Sequence, residues 1–394
     1  MCTVPWEHLR RFGVEGLQER VRAPSDGDGF GALRFGTVGF WIPCMRALTT
    51  APGIPSSAKV DEVEEPPLSD GSVLVRTLAI GVCGTDRDIL AGAYGSAPPG
   101  QVRLILGHES LGVVQDAPQG CGLMPGDLVV GIVRRPDPVP CGACAAGEWD
   151  MCRSGSYTER GIKERHGYGA VRFRVEPEFV VKIDQTLGVL GVLLEPASIL
   201  AKAWDQVRHI GQRSRSWQPR TLLVTGGGPI GLLAVLMGAQ RGLDVHVLDH
   251  HDDGTKADLV QRLGGTYHTG GIKIIDRLRP DILVECTGAP ALIGEIFGRT
   301  APTGITCLVG VTAPGHEIKL DIGLINRTLV LDNETIFGSV NANRTHYEIA
   351  ADALRRADRA WLGRLITRRV PIDRWTEAVQ RHPGDIKVVV DFSL

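Results

Sequence analysis

The stretch that most constrains this chain is "RTLLVTGGGPIGLLAVLMGAQRGLDVHVLD", residues 220 to 249. A short apolar run, a glycine turn, a longer apolar run and a second short run read as strand, turn, helix and strand. That is one βαβ unit. Apolar runs recur at "DILVECTG", "GITCLVGV" and "ETIFGSV" with helical or loop spacers between them. This is the pattern of a parallel sheet covered on both faces, so the second half of the chain reads as a doubly wound α/β fold.

Gly226, Gly228 and Gly231 stand at the spacing G-x-G-x-x-G, with Pro229 and Ile230 opening the helix. The first glycine permits the tight turn, the second lets backbone N–H groups approach a pyrophosphate, and the third lets the helix lie close on its strand. A glycine turn without a ligand is the bland alternative. The context argues against it, because Asp249 ends the second strand where an acidic side chain accepts both ribose hydroxyls of NAD. His250 and His251 leave NADP open, since imidazoles tolerate a 2′-phosphate; the reading favours NAD.

The first half has a different texture. "SDGSVLVRTLAIGVCGTDRDI", "LGVVQDA" and "GDLVVGIV" are short strands punctuated by glycine and proline, a β-rich body that delivers Cys83 to the edge of a cleft. Cys83 in "CGTD", with His108 and Glu109 in "LGHES", offers a thiolate, an imidazole and a carboxylate, a donor set suited to zinc. Taken alone, His108 reads as a structural histidine; the set of three changes that. Glu195, in "LLEPAS" at the start of an expected helix, is the remaining candidate ligand. A catalytic zinc keeps one position open, so that a substrate hydroxyl there loses its proton more easily.

"PCGACAAGEWDMC" places Cys141, Cys144 and Cys152 as C-x2-C-x7-C. In a reducing compartment this spacing reads as metal ligation, with a loop of free thiols as the alternative because a fourth ligand is missing from the run. The odd total of nine cysteines fits a cytoplasmic protein better than a secreted disulfide framework. A net charge of -2 gives no basic field for nucleic acid, and no apolar run long enough to span a membrane is evident. At 394 residues two domains are expected, with small molecules or copies of the chain itself, a dimer or tetramer, as partners. Residues 1–44 look unlike the rest, and Met45 starts a chain by itself. The segment is read as an extension that is not native, or else as an arm used in oligomer contacts.

With these motifs in place, the chain resembles the zinc-dependent medium-chain alcohol dehydrogenases, and within them the archaeal type of glucose 1-dehydrogenase. The match runs over residues 45–394 and is carried by "GVCGTDRDI", "LILGHESLGVV", "GDLVVGIVRRPDPVPC", "YTERGIKERHGY" and "GVLLEPAS". The resemblance implies a GroES-like catalytic domain over 45–205, a Rossmann domain over 206–340, and a segment, 341–394, that returns to the first domain. It implies oxidation of an aldose at C1 to the lactone with NAD(P), with a polyol or threonine-type alcohol as the alternative substrate.

The resemblance also implies roles at single positions. Cys83 and His108 match zinc ligands, Glu109 the acidic third ligand, and Glu195 a carboxylate beside metal and substrate. Thr85 matches a relay hydroxyl, and Asp86 a residue that orients the histidine. Glu159 matches a carboxylate that contacts sugar hydroxyls, and Asn341 an amide near substrate and nicotinamide. In the lobe, Pro138 replaces the first of the family's four cysteines, and the adjacent Asp137 is the expected substitute ligand for a structural zinc. A sensor that kept the cofactor site and lost its chemistry would have a broken zinc set, which is not the case for Cys83, His108, Glu109 and Glu195. Zinc-free quinone reduction would need neither Cys83 nor the lobe.

Overall fold

A computed structural model describes residues 44–251, 254–313 and 315–394. The expected extension therefore lies outside the described residues except for Cys44, which pairs with Glu64 across the antiparallel strands Cys44–Thr50 and Lys59–Glu64. Met45 sits inside the first of these strands and is buried.

Two sheets carry the molecule. The first runs through the strands Val180–Lys182, Leu128–Gly131, Glu109–Asp116, Val73–Val82, Lys387–Asp391 and Ile366–Pro371, and Arg172–Val175 pairs with Val73–Val82 as well. Its central strand alternates buried and partly exposed residues along Val73–Ile80, as a strand with one face on a core does. The last strands of the chain close back into this sheet: Val388 faces Val82 and Val390 faces Ile80, antiparallel. The second sheet has six strands, all parallel, with Thr221–Thr225 and Ile282–Glu285 at its centre. Ile282–Glu285 is buried end to end and Thr221–Thr225 from Leu222 onward, as helices on both faces require.

The helix Leu194–Gly211 joins the two. Ala197, Leu200, Ala201 and Trp204 share one apolar core with Leu111 and Val180 on one side and Leu232, Val235 and Ile305 on the other. The expected division after residue 205 thus falls inside a continuous helix, because a helix with two apolar faces serves both halves and no linker separates them. The run Gln185–Gly211 has the length and composition of a membrane span, yet 72% of its window is buried inside the protein, and it carries buried Glu195 and Lys202. It is the core helix of this fold.

Candidate active site

Cys83 ends the central strand of the first sheet and caps the helix Gly84–Leu90: its sulfur accepts the Thr85 N–H at 3.3 Å, while its own N–H is taken by Asp86 Oδ2 at 2.9 Å. The reciprocal cap fixes the thiol at the strand end. Gly107, at φ +89, turns the chain ahead of His108, and a Cβ there would meet Ile80 at 2.8 Å. This is why a glycine precedes the histidine. Asp86 Oδ1 stands 3.3 Å from His108 Nδ1, which leaves Nε2 for a metal.

Potential ligand atoms of Cys83, His108 and Glu109 all lie within 4.8 Å of one another. Burial opposes charge on His108, but Asp86 and Cys83 outweigh it and hold the imidazole's pKa well above its usual value. A pocket that draws a proton so strongly draws a cation, and the sulfur, nitrogen and oxygen donors suit zinc. Thr85 is half-buried in the first turn beside Cys83, and its hydroxyl has no hydrogen-bond partner among the described residues.

Glu109 differs from expectation. Lys387 Nζ bonds both of its oxygens, at 2.7 and 2.6 Å, and both residues are 2% exposed. A carboxylate this deeply buried requires a counterion, and the returning C-terminal strand supplies one. Gly81 makes room for it, since a Cβ there would lie 2.0 Å from Glu109 Oε2. Glu195, at the start of the core helix, accepts no hydrogen bond on its carboxylate among the described residues. Burial, with Glu109 adding, pushes its pKa up to about 7. Glu109 and Glu195 are thus two buried carboxylates beside Cys83 and His108, the first of them paired with Lys387.

Glu159 and Asn341 come together from distant parts of the chain, Asn341 Nδ2 donating to Glu159 Oε1 at 2.7 Å. Asn341 takes a left-handed conformation, φ 61, and its Oδ1 accepts the N–H of Ala342, a turn that asparagine tolerates. Its amide is thus engaged with Glu159, whereas the resemblance also implied a place near the nicotinamide. Val133 packs in an apolar cluster with Ile89 and Leu104.

The glycine turn has the expected shape. Gly226 has φ +89, a Cβ at Gly231 would lie 1.8 Å from the Gly226 carbonyl, and Gly228 faces open space at the N-terminus of the helix Pro229–Ala239. That helix end has no side-chain cap, so its first N–H groups are available to a phosphate. Asp249 is less free than expected. Oδ2 accepts Gly227 N–H at 2.8 Å and Oδ1 accepts His250 N–H at 2.7 Å, so the carboxylate braces the loop first and meets a ribose only through its remaining lone pairs. His250 is exposed beside it, and Lys256 Nζ stands 3.7 Å from Oδ2.

In the lobe, Cys141, Cys144 and Cys152 gather within ligand spacing, and Asp137 does not complete the set. Its carboxylate accepts the Ser154 hydroxyl and, at 2.9 Å, the Val139 N–H. Pro136 and Pro138 restrict the chain on both sides of it. The Arg153 N–H lowers the Cys141 thiol to about 6, while burial pushes Cys144 up to about 11. Three sulfurs without a fourth protein ligand among the described residues do not fit a closed structural zinc site.

A parallel nucleotide-type sheet, a β-rich sheet closed by the C-terminal strands, and a Cys–His–Glu cluster with a helix between them define a zinc-type alcohol dehydrogenase. The comparisons agree. Residues 69–185 match the alcohol dehydrogenase GroES-like domain and residues 188–392 the glucose dehydrogenase C-terminus. A glucose 1-dehydrogenase of Methanocella arvoryzae is 38% identical over 88% of this chain and 99% of its own length. Glucose 1-dehydrogenase 2 of Vulcanisaeta moutnovskia is 39% identical over the same shares. The Haloferax mediterranei glucose dehydrogenase, solved with NADP, zinc and gluconolactone, superposes with a TM-score of 0.82 at 31% identity, covering 89% of this chain and all of that one. The chain belongs to the glucose dehydrogenase family of zinc-type, NAD(P)-linked oxidoreductases acting on CH–OH groups.

Sequence reasoning missed Lys387 and Arg134. Lys387 carries a signal, a lone charge at the head of the apolar run "KVVVDF"; Arg134, one of two arginines in "VRRP", carries none.

Proposed function

We propose that the protein oxidises an aldose at C1, passing hydride to NAD(P)+ and releasing the lactone. The observation that carries this is the cluster of Cys83, His108 and Glu109, with buried Glu195 beside it, in a chain whose relatives are glucose dehydrogenases. The Haloferax relative, solved with gluconolactone and NADP, supports both the product and NADP as an accepted cofactor.

Cys83, His108 and Glu195 would hold a zinc ion, and bound zinc would supply a Lewis acid that eases loss of the C1 hydroxyl proton. Thr85 takes that proton toward the cofactor ribose, the C1 hydrogen leaves with its electron pair, and a C1 carbonyl remains. Glu159 accepts a sugar hydroxyl and orients the ring. Asp86 holds the His108 imidazole. The glycine loop Gly226–Gly231 takes the pyrophosphate, with Asp249 toward the adenosine ribose.

We also read residues 45–205, 206–340 and 341–394 as catalytic domain, Rossmann domain and returning segment. Exposed Ile322, Leu324, Val330 and Leu331, next to the edge strand Thr335–Gly338, support assembly with further copies of the chain. Cys83, Cys121, Cys141, Cys144, Cys152, Cys286 and Cys307 form no disulfide among the described residues, which supports a cytoplasmic setting. Purified zinc-loaded protein tested on a panel of aldoses, polyols and amino alcohols with each cofactor decides the substrate class. Turnover of glucose or a close epimer supports the proposal; turnover confined to polyols or threonine-type alcohols overturns it.

A further inference from the structure

The two oxygens of Glu159 are treated differently. Oε1 accepts three hydrogen bonds, from Arg134 Nε at 3.1 Å, Arg134 Nη2 at 3.0 Å and Asn341 Nδ2 at 2.7 Å. Oε2 accepts none among the described residues. An arginine and a carboxylate usually pair as two forks, with one N–H on each oxygen. Here both N–H groups fall on one oxygen and leave the other with all its lone pairs.

Arg134 is held as firmly as the carboxylate it grips. Its backbone pairs with that of Glu159 in adjacent antiparallel strands, its guanidinium lies 3.7 Å from the centroid of the Tyr157 ring, and Nη1 donates to the Asp150 carbonyl at 3.2 Å. Asp150 lies in the lobe between Cys144 and Cys152 and is fixed in turn. Its carboxylate pairs with Lys202 of the core helix at 2.9 Å and accepts the Asn343 amide at 2.9 Å. Arg134, Asp150, Glu159, Lys202, Asn341 and Asn343 are all buried.

We propose that Arg134 is a positioning residue that aims Glu159 at the sugar. By tying down Oε1 it fixes the plane of the carboxylate and reserves Oε2 for one substrate hydroxyl. The lobe then has a mechanical use with or without a metal, because it sets the carbonyl on which Arg134 rests. This rests on the reading of Glu159 as a sugar contact.

The test is a double-mutant cycle on the zinc-loaded enzyme with Arg134→Gln, Arg134→Lys, Glu159→Gln and the double variant Arg134→Gln/Glu159→Gln. A hydrogen bond to a charged group is worth enough to raise the glucose KM about tenfold when lost. Arg134→Gln should do this while kcat and the cofactor KM stay within about twofold, and Arg134→Lys, which keeps the charge, should recover part of the loss. The double variant should be no worse than Glu159→Gln alone, since nothing remains to aim. Arg134→Gln strands a buried carboxylate; if it does not fold, Arg134→Lys and the charge-free double variant read the same comparison. Independent, multiplying effects, or equal losses of sugar and cofactor affinity, would overturn the positioning role. An unchanged glucose KM in Glu159→Gln would instead remove the sugar contact, and the proposal with it.

Discussion

Lys387 Nζ lies 2.6 Å from Glu109 Oε2, joining the last strand of the chain to the residue that follows His108. The two are 278 positions apart in sequence and each is almost wholly buried. The C-terminal segment therefore completes the floor of the candidate active site as well as a sheet. Removal of one partner should be far worse than removal of both. Lys387→Met leaves a bare buried carboxylate and should cost about 3–5 kcal/mol, whereas Glu109→Gln with Lys387→Met should recover most of that loss. Chemical denaturation of the three proteins checks this; equal stability of the single and double variants would contradict it.

Cys83→Ala should remove the thiolate while leaving the glycine loop untouched. Metal analysis should find the catalytic zinc lost and turnover abolished, and cofactor binding followed by fluorescence should be within about twofold of the parent. Near-normal activity without bound metal would defeat the assignment.

Cofactor choice should move with Asp249. Its carboxylate repels a 2′-phosphate, though Lys256 and three backbone N–H groups moderate the charge. Asp249→Asn keeps an acceptor for the Gly227 N–H and removes the charge, so the ratio of kcat/KM for NADP to that for NAD should rise about tenfold. Asp249→Ser removes the brace as well and should weaken both cofactors. A ratio unmoved in the asparagine variant would show that the acid serves the loop alone.

The lobe should not retain a metal. With three sulfurs and no fourth protein ligand, zinc analysis after dialysis should return about one ion per chain, and Cys141 should react fastest with a thiol reagent because its pKa is lowered to about 6. Cys144, buried and raised to about 11, should react last. A count of about two, with all three thiols protected, would mean that an outside ligand closes the site.

What the sequence made legible was local. The glycine turn, the helix beginning near Glu195, and the placing of Cys83 and His108 each depend on residues within a few positions of one another, and the structure has them. The partners that tune these groups are distant. Nothing near Glu109 announces Lys387, and nothing near Glu159 announces Asn341, because burial of each carboxylate is decided by which strand or turn the fold lays beside it. Asp137 shows the converse. Adjacency to the cysteines made it a candidate ligand, yet flanking prolines and the Ser154 hydroxyl direct its carboxylate elsewhere. The boundary read at 205 lies within the helix Leu194–Gly211, since a helix apolar enough to serve two cores gives no linker signal.

The most direct test of the account is the fate of one hydrogen. Zinc-loaded protein given glucose deuterated at C1 and oxidised NAD(P) should yield reduced cofactor carrying the deuterium, with gluconolactone or gluconate in equal amount, and Cys83→Ala should yield neither. Reduced cofactor without deuterium, or no reduction by any aldose while a polyol is consumed, would contradict aldose oxidation at C1.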